Sequence, residues 1–277
     1  MHEHLVVTAN GRRGFLEFGP SRPSYDQTLH SPSVRVEFCD IIVARLVTAR
    51  KARPSQSKRR IDSPFLELTL ISVASHPLLD ARAFVVATPD CLGEMSSRPE
   101  LLELLSVDAA APMQSSDEVR KLVRDLLRHG GFKPTGRSKP ASEYLLKASR
   151  EGMSSINVVV DACNAVSLHS GLPISVVDVD KTTGSLRIEI AAAGEAYVFN
   201  QSGQTIDIGG LICLCDEVGP CANAVKDSQR TKTGEATRKS LAIIWGTREL
   251  EGRAAEASAW YQQILSNHGG QTEWELK

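Results

Sequence analysis

The sequence predicts an α+β fold with antiparallel or mixed sheets, and three observations predict it. Helical patterns occupy residues 116–170, short period-two segments fill 174–216, and another helical pattern lies near the C-terminus. Helices on either side of a block of strands, not alternating with them, argue against a doubly wound parallel sheet. At 277 residues and 30.1 kDa the chain can bury a sizeable core as one large domain or two small ones.

The elements follow in order. Residues 1–32 mix Gly, Pro, Ser, His and Arg without period and read as a tail. VRVEFCDIIVARLVT (34–48) reads as a strand, followed by the basic stretch ARKARPSQSKRR (49–60). Strands are expected at 65–74 and 82–88. Over 116–129, Val119, Leu122, Val123, Leu126 and Leu127 recur at helical spacing, and Gly130 supplies a stop. A second helix opens at Pro140, carries Leu145 and Leu146 inward and ends at Gly152. A third is capped by Ser154 or Ser155 and closed by Gly171 and Pro173. Strands are then expected at 174–180, 185–191, 195–200, 204–210, 211–216 and 241–246, with a last helix from Glu249 to Ser266.

Net charge is −1, which excludes a uniformly basic nucleic-acid coat. The charge is uneven, since residues 1–60 carry 11 Lys/Arg against 5 Asp/Glu. From Arg45 through Arg50, Lys51, Arg53, Lys58, Arg59 and Arg60 no acid intervenes. That stretch is either a solvated loop or an arm that contacts phosphates and releases counterions. Aromatics at 5% disfavour an RNA surface built on several stacked bases. No apolar stretch approaches the roughly 20 residues of a membrane span, and no signal-peptide layout opens the chain. The six cysteines lack disulfide-scaffold spacing, so reduced thiols and a cytoplasmic setting are expected. Cys213, Cys215 and Cys221 lack a regularly spaced fourth ligand, so no metal or other cofactor is expected.

The third helix, INVVVDACNAVSLHS (156–170), is apolar almost all round and should be buried. Asn157, Asp161 and Asn164 nevertheless form one polar stripe along it. Buried polar groups need partners, so the stripe either ties down neighbouring backbone or lines a wet cavity.

One family shares this pattern. Ser155-Ile-Asn157, Asp161-x-x-Asn164, Val166-Ser167-Leu168, Gly171-Leu-Pro173 and Asp178-x-Asp180-Lys181 resemble the B3/4-type tRNA-editing domain of the phenylalanyl-tRNA synthetase beta subunit. Gly194-Glu195, Gly219-Pro220, Lys226-Asp-Ser228-x-Arg230-Thr231-Lys232 and Glu235-x-Thr237 resemble its freestanding versions more closely. The resemblance covers residues 125–250, leaving 33–124 as an N-terminal α/β part that holds the basic loop and 251–277 as a C-terminal helix and tail. It implies a three-layer α+β domain, a β-sandwich of unusual topology flanked by helices, with a pocket against the striped helix. It also implies hydrolysis of amino acids wrongly attached to tRNA, without metal, membrane or DNA. No nucleotide-binding motif is present and the chain is short for a synthetase, so aminoacylation is not expected.

The resemblance carries Asn164 onto the family's editing-site asparagine. Lys226, Asp227 and Ser228 join it as candidate catalytic residues, with Asp227 and Ser228 fixing the amino group and a water. Asn157, Asp161, Ser167, His169, Ser175, Arg230 and Thr231 are candidate substrate contacts. Arg50, Lys51, Lys58, Arg59, Arg60 and Lys232 are candidate RNA contacts. His169 has two readings, polarising water or capping helix carbonyls. Asp178, Asp180 and Lys181 read as a hydrogen-bonded turn. The chain departs from the synthetase pattern at Ser175, where that pattern carries a histidine, and serine does not titrate near neutrality. An aminoacyl ester is already activated, so a held water and one or two oxyanion donors suffice. The leading expectation is therefore a trans-editing aminoacyl-tRNA deacylase. A non-catalytic tRNA-binding module and a sensor of small amino-acid-like ligands are the alternatives.

Overall fold

The computed structural model describes residues 71–276. The expected tail, the strand over 34–48, the loop 49–60 with Arg50, Lys51, Lys58, Arg59 and Arg60, and most of the strand over 65–74 lie outside the described residues. Along the chain come β1 (Ser72–Val73), β2 (Leu79–Ala87), α1 (Pro99–Glu103), α2 (Asp117–Arg128), α3 (Ala141–Glu151) and α4 (Val158–Ser170). They are followed by β3 (Ile174–Asp178), β4 (Arg187–Ile190), β5 (Ala196–Val198), β6 (Thr205–Asp207), β7 (Ile212–Cys215) and β8 (Pro220–Asn223). The chain then forms β9 (Lys239–Thr247), α5 (Arg253–Asn267) and β10 (Gln271–Leu276).

The middle layer follows from the continuous apolar runs. A strand buried on both faces has no polar side to present, so its sequence loses the usual alternation. LAIIW in β9 and AFVV in β2 have this character, and the two strands pair antiparallel from Leu79–Thr247 to Ala87–Lys239. With β10 and β3 outside them they make a sheet in the order β10-β2-β9-β3. Phe84, Val86, Ile174, Val176, Ala242 and Ile244 face one way, onto Val159, Cys163 and Val166 of α4 and Tyr261 of α5. Val85, Val177, Leu241, Ile243 and Trp245 face the other way, onto Ile188, Leu214 and Cys221 of a second sheet ordered β1-β4-β7-β8. The result is three layers, helices on sheet on sheet, as the α+β sandwich reading expects.

Helix boundaries show where local chemistry decides. Ser116 caps α2, its side chain accepting from Val119 N at 3.2 Å. The left-handed residue after α2 is Gly131 (φ 94°), not Gly130. Gly130 serves a close approach instead: a Cβ there would stand 2.2 Å from the Gly210 carbonyl oxygen. Gly130→Ala should therefore push α2 off the β6–β7 loop and lower the melting temperature by several degrees, about 2 kcal/mol or more. An unchanged melting temperature would show that this loop yields freely. Neither α1, β8 nor β10 is expected from the sequence. All three are short or polar, and β10 is an exposed edge with only Trp274 and Leu276 packed inward.

Candidate functional site

The site begins on α4, which is buried at every position from Val158 to Ser170. Its cap is Asn157, not Ser154 or Ser155: Asn157 Oδ1 accepts from Val160 N at 3.0 Å. Ser155 Oγ instead donates to Asp161 Oδ2 at 2.5 Å. Asp161 also accepts from Ser97 Oγ at 2.6 Å and from Ile156 N at 2.8 Å. These bonds make Asn157 and Asp161 structural ties. Asn164 differs, because its Oδ1 is buried with no hydrogen-bond partner among the described residues, and the residue is 6% exposed. The polar stripe therefore divides, two members holding backbone and one facing an unfilled acceptor position.

At the far end of α4, Ser167 Oγ donates to Leu172 O at 2.7 Å across the left-handed turn at Gly171. His169 does not cap its own helix. Its Nε2 lies 3.0 Å from the Leu104 carbonyl, tying α4 to the end of α1. Burial lowers its pKa, against the pull of backbone bonds to Leu104 and Ser106.

The second half is the Asn223–Lys232 segment, which runs from β8 across the edge strand β3 and bridges to it at Val177–Lys232. Asn223 organises its start: its Oδ1 accepts from Val225 N (2.8 Å) and Lys226 N (3.0 Å). Its Nδ2 donates to the Tyr197 hydroxyl, which donates to Lys226 O at 2.5 Å. Asn223 N donates to Asp227 Oδ1 at 3.2 Å. Ser175, fully buried on β3, donates to Asn223 O at 3.0 Å and accepts from Trp245 Nε1 at 2.9 Å. Asp227 lies beside Ser175, and burial pushes its carboxyl up to about 6. The nearby Ser175 hydroxyl, the Asn223 and Val176 backbone and the Lys232 charge pull the other way without cancelling burial. The Asp227 charge also reaches α4, adding to burial in raising the Cys163 thiol. Sequence reading misses Asn223, Tyr197 and Trp245. The Asn-Ala-Val-Lys turn is the one local signal, since asparagine is suited to bonding backbone two residues ahead.

Cations flank this cluster. Lys226 Nζ stands 3.8 Å from the Phe199 ring centroid, and Lys232 Nζ donates to Phe199 O at 2.6 Å. Lys181 Nζ donates to Lys232 O at 2.5 Å, while Asp178 accepts from Thr237 Oγ1 and Asp180 N, the turn expected of that motif. Ser228 and Thr231 brace the segment, accepting from Arg230 N (3.3 Å) and donating to Cys221 O (3.0 Å) respectively. Arg230 makes a two-pronged pair with the fully buried Asp216, at 2.8 and 2.9 Å. Two surface clefts of ≈ 440 and ≈ 360 Å³ lie elsewhere, lined by His76, Asp80 and Arg248 and by Gly130, Ile190 and Asp207. The structure thus gathers Ser175, Asp227, Lys226 and Lys232 around one sheet edge, and buries Asn164 on the helix packed against that sheet. It sets Asn157, Asp161, Ser167, His169, Ser228, Arg230 and Thr231 in bonds within the fold.

These features define a three-layer α+β domain with a closed polar cluster at one sheet edge. Residues 134–254 match the family model of the B3/4 domain. Over 126 residues it is 32% identical to the phenylalanine--tRNA ligase beta subunit of Neisseria meningitidis serogroup A, covering 42% of this chain and 16% of that protein. Over 103 residues it is 31% identical to the same subunit of Bartonella henselae, covering 36% and 13%. The match thus spans about a sixth or less of these relatives' length. Among solved structures, an N-terminal fragment of the phenylalanyl-tRNA synthetase beta subunit from Pyrococcus horikoshii aligns at 12% identity and TM-score 0.37, covering 43% of this chain and 44% of that one. No helix among the described residues is long and apolar enough to cross a membrane.

Proposed function

We propose that this protein is a trans-editing deacylase that hydrolyses the ester between a wrong amino acid and its tRNA. The observation that carries the reading is the Asp227 carboxyl, buried beside Ser175 and held near neutrality in a B3/4 domain. At neutral pH it is largely ionised and basic enough to take a proton from water. The hydroxide so formed attacks the ester carbonyl, with the Asn164 amide donating to the developing oxyanion. The carbon–oxygen bond to the ribose then breaks, and the ribose oxygen recovers the proton from Asp227. Water is the only co-reactant. Lys226 and Lys232 supply positive potential for the tRNA phosphates, and access requires Lys226 to leave the Phe199 ring. The setting of such chemistry is the cytoplasm.

Incubation with a panel of mischarged tRNAs tests the reading. Release of amino acid that disappears in Asn164→Ala supports it, and absence of release from every tRNA overturns it. A second reading, tRNA binding without turnover, is favoured by the complete burial of Ser175 and by the position of both clefts away from Asn164. Saturable binding without release would establish it. In either case, neutralising Arg50, Lys51, Lys58, Arg59 and Arg60 should weaken tRNA binding and flatten its salt dependence, by about 0.7–0.9 of log-log slope for each phosphate that is no longer neutralised. An unchanged slope assigns that loop to solvent.

A further inference from the structure

Another acid-free basic stretch lies where α2 connects to α3. Residues 126–142 (LLRHGGFKPTGRSKPAS) hold Arg128, Lys133, Arg137 and Lys139 and no Asp or Glu. The acids that flank it are already engaged, Asp125 with Arg128 at 2.5 Å and Glu143 with Arg124 at 2.6 Å. Lys133, Arg137 and Lys139 form no ion pair among the described residues.

The loop holds these three cations in place. Phe132, Pro134 and Pro140 are buried, while Lys133 and Arg137 are exposed and Lys139 is half-buried. The two prolines fix their own φ and so reduce the freedom the loop would lose on binding. Thr135 N donates to Lys133 O at 2.8 Å, Ser138 N to Thr135 O at 2.9 Å, and the Tyr144 hydroxyl to Gly136 O at 3.3 Å. Like charges held on an ordered backbone repel one another, and a polyanion relieves that repulsion while releasing its own counterions.

The two ends of the loop differ in charge. Gly130 and Gly131, at its start, wall the ≈ 360 Å³ cleft that also contains Asp207, an acidic side chain that repels phosphate. At its other end the Ala141 amide donates to Ala224 O at 2.9 Å, which seats the loop against the Asn223–Lys232 segment two residues from Lys226. Positive charge therefore runs from Lys133 through Arg137 and Lys139 toward the candidate site. Residues 133–139 include no aromatic ring to stack a base and no Asn, Gln or acid to read a base edge. Such a surface suits the phosphates of a double-stranded RNA, which is recognised by shape and backbone.

Resting on the deacylase reading, we propose that Lys133, Arg137 and Lys139 form a track for the phosphates of the tRNA acceptor stem. The double helix then approaches along the α2–α3 connection, and its 3′ end runs on past Lys226. Because the track reads charge and not bases, the substrate class is misacylated tRNA of any acceptor-stem sequence.

Fluorescence anisotropy with uncharged bulk tRNA at several salt concentrations tests this on the full chain. The triple variant Lys133→Gln, Arg137→Gln, Lys139→Gln should bind more weakly. Its log-log salt slope should fall by about 0.7–0.9 for each lost phosphate contact, about 2–3 in all. Its melting temperature should match the parent's, since these side chains make no ion pair within the fold. Lys121→Gln removes an exposed cation of α2 outside the loop and should leave the slope unchanged. Two RNA hairpins of acceptor-stem length and unrelated sequence should bind the parent alike. An unchanged slope in the triple variant, or a loss in Lys121→Gln as large as that of each loop cation, overturns the inference. A preference of about tenfold or more between the hairpins also overturns it. On a misacylated tRNA that the parent deacylates, the triple variant should lose kcat/KM and keep kcat at saturating tRNA, whereas a loss confined to kcat counts against the track. If the parent deacylates no tRNA, the deacylase reading fails and the salt slopes still decide the track.

Discussion

Arg230→Ala is expected to destabilise the domain by about 3 kcal/mol, seen as a lower urea midpoint with an unchanged slope. The side chain donates to both oxygens of Asp216, a carboxylate with no exposure. Three backbone amides, of Thr183, Val218 and Gly219, also reach that carboxylate, which keeps the loss at the low end for breaking a buried pair. Burial by itself would raise the Asp216 pKa, but the Arg230 guanidinium and these amides outweigh it and hold the carboxyl below its ordinary value. A depressed acid contributes stability that is present above its unfolded pKa and lost as pH falls through the folded one. Without Arg230, burial is far less well opposed and the carboxyl moves up. The deficit of the variant should thus be largest at pH 7 and shrink toward pH 3, as Asp216 becomes neutral in both proteins. A deficit constant with pH would mean that lost packing of the arginine stem, not its charge, is responsible.

Asp227→Asn should do the opposite to stability while removing activity. The carboxyl rises from its ordinary value of 3.8 to about 6 in the folded protein. A raised acid binds its proton more tightly when folded, so stability falls as pH rises between about 4 and 6. The size is on the order of 3 kcal/mol, about two pKa units. Asparagine has the same shape without the charge, so the variant should lose this slope and be at least as stable as the parent at pH 7. Its turnover on misacylated tRNA should drop by about 10²–10⁴-fold, the range for loss of a general base. The rising limb of the parent's rate near pH 6 should vanish with it. Turnover and pH profile like the parent's would exclude Asp227 as the base.

Much of the architecture is legible in the sequence because it depends on local pattern. The period-two segment at 174–180 and the apolar run at 241–246 read as strands, though not as strands buried on both faces, and α4 reads as a buried helix. β8 escapes because Pro220-Cys-Ala-Asn223 has neither the length nor the branched residues of a typical strand. At the site, the stripe on α4 is legible but its division is not. Ser97 and Ser155 satisfy Asp161, and nothing local distinguishes that carboxylate from the unsatisfied amide one turn later. Asn223, Tyr197 and Trp245 matter only through bonds between distant parts of the chain, which periodicity does not encode.

The Asn223–Lys232 segment is fastened to the sandwich mostly by side chains, through Asn223, Thr231 and Arg230, and meets β3 by a single bridge. Loss of any one of these side-chain fasteners should therefore loosen the segment as a unit while the strand ladders on either side keep their register, so the strap and the sandwich can fail separately.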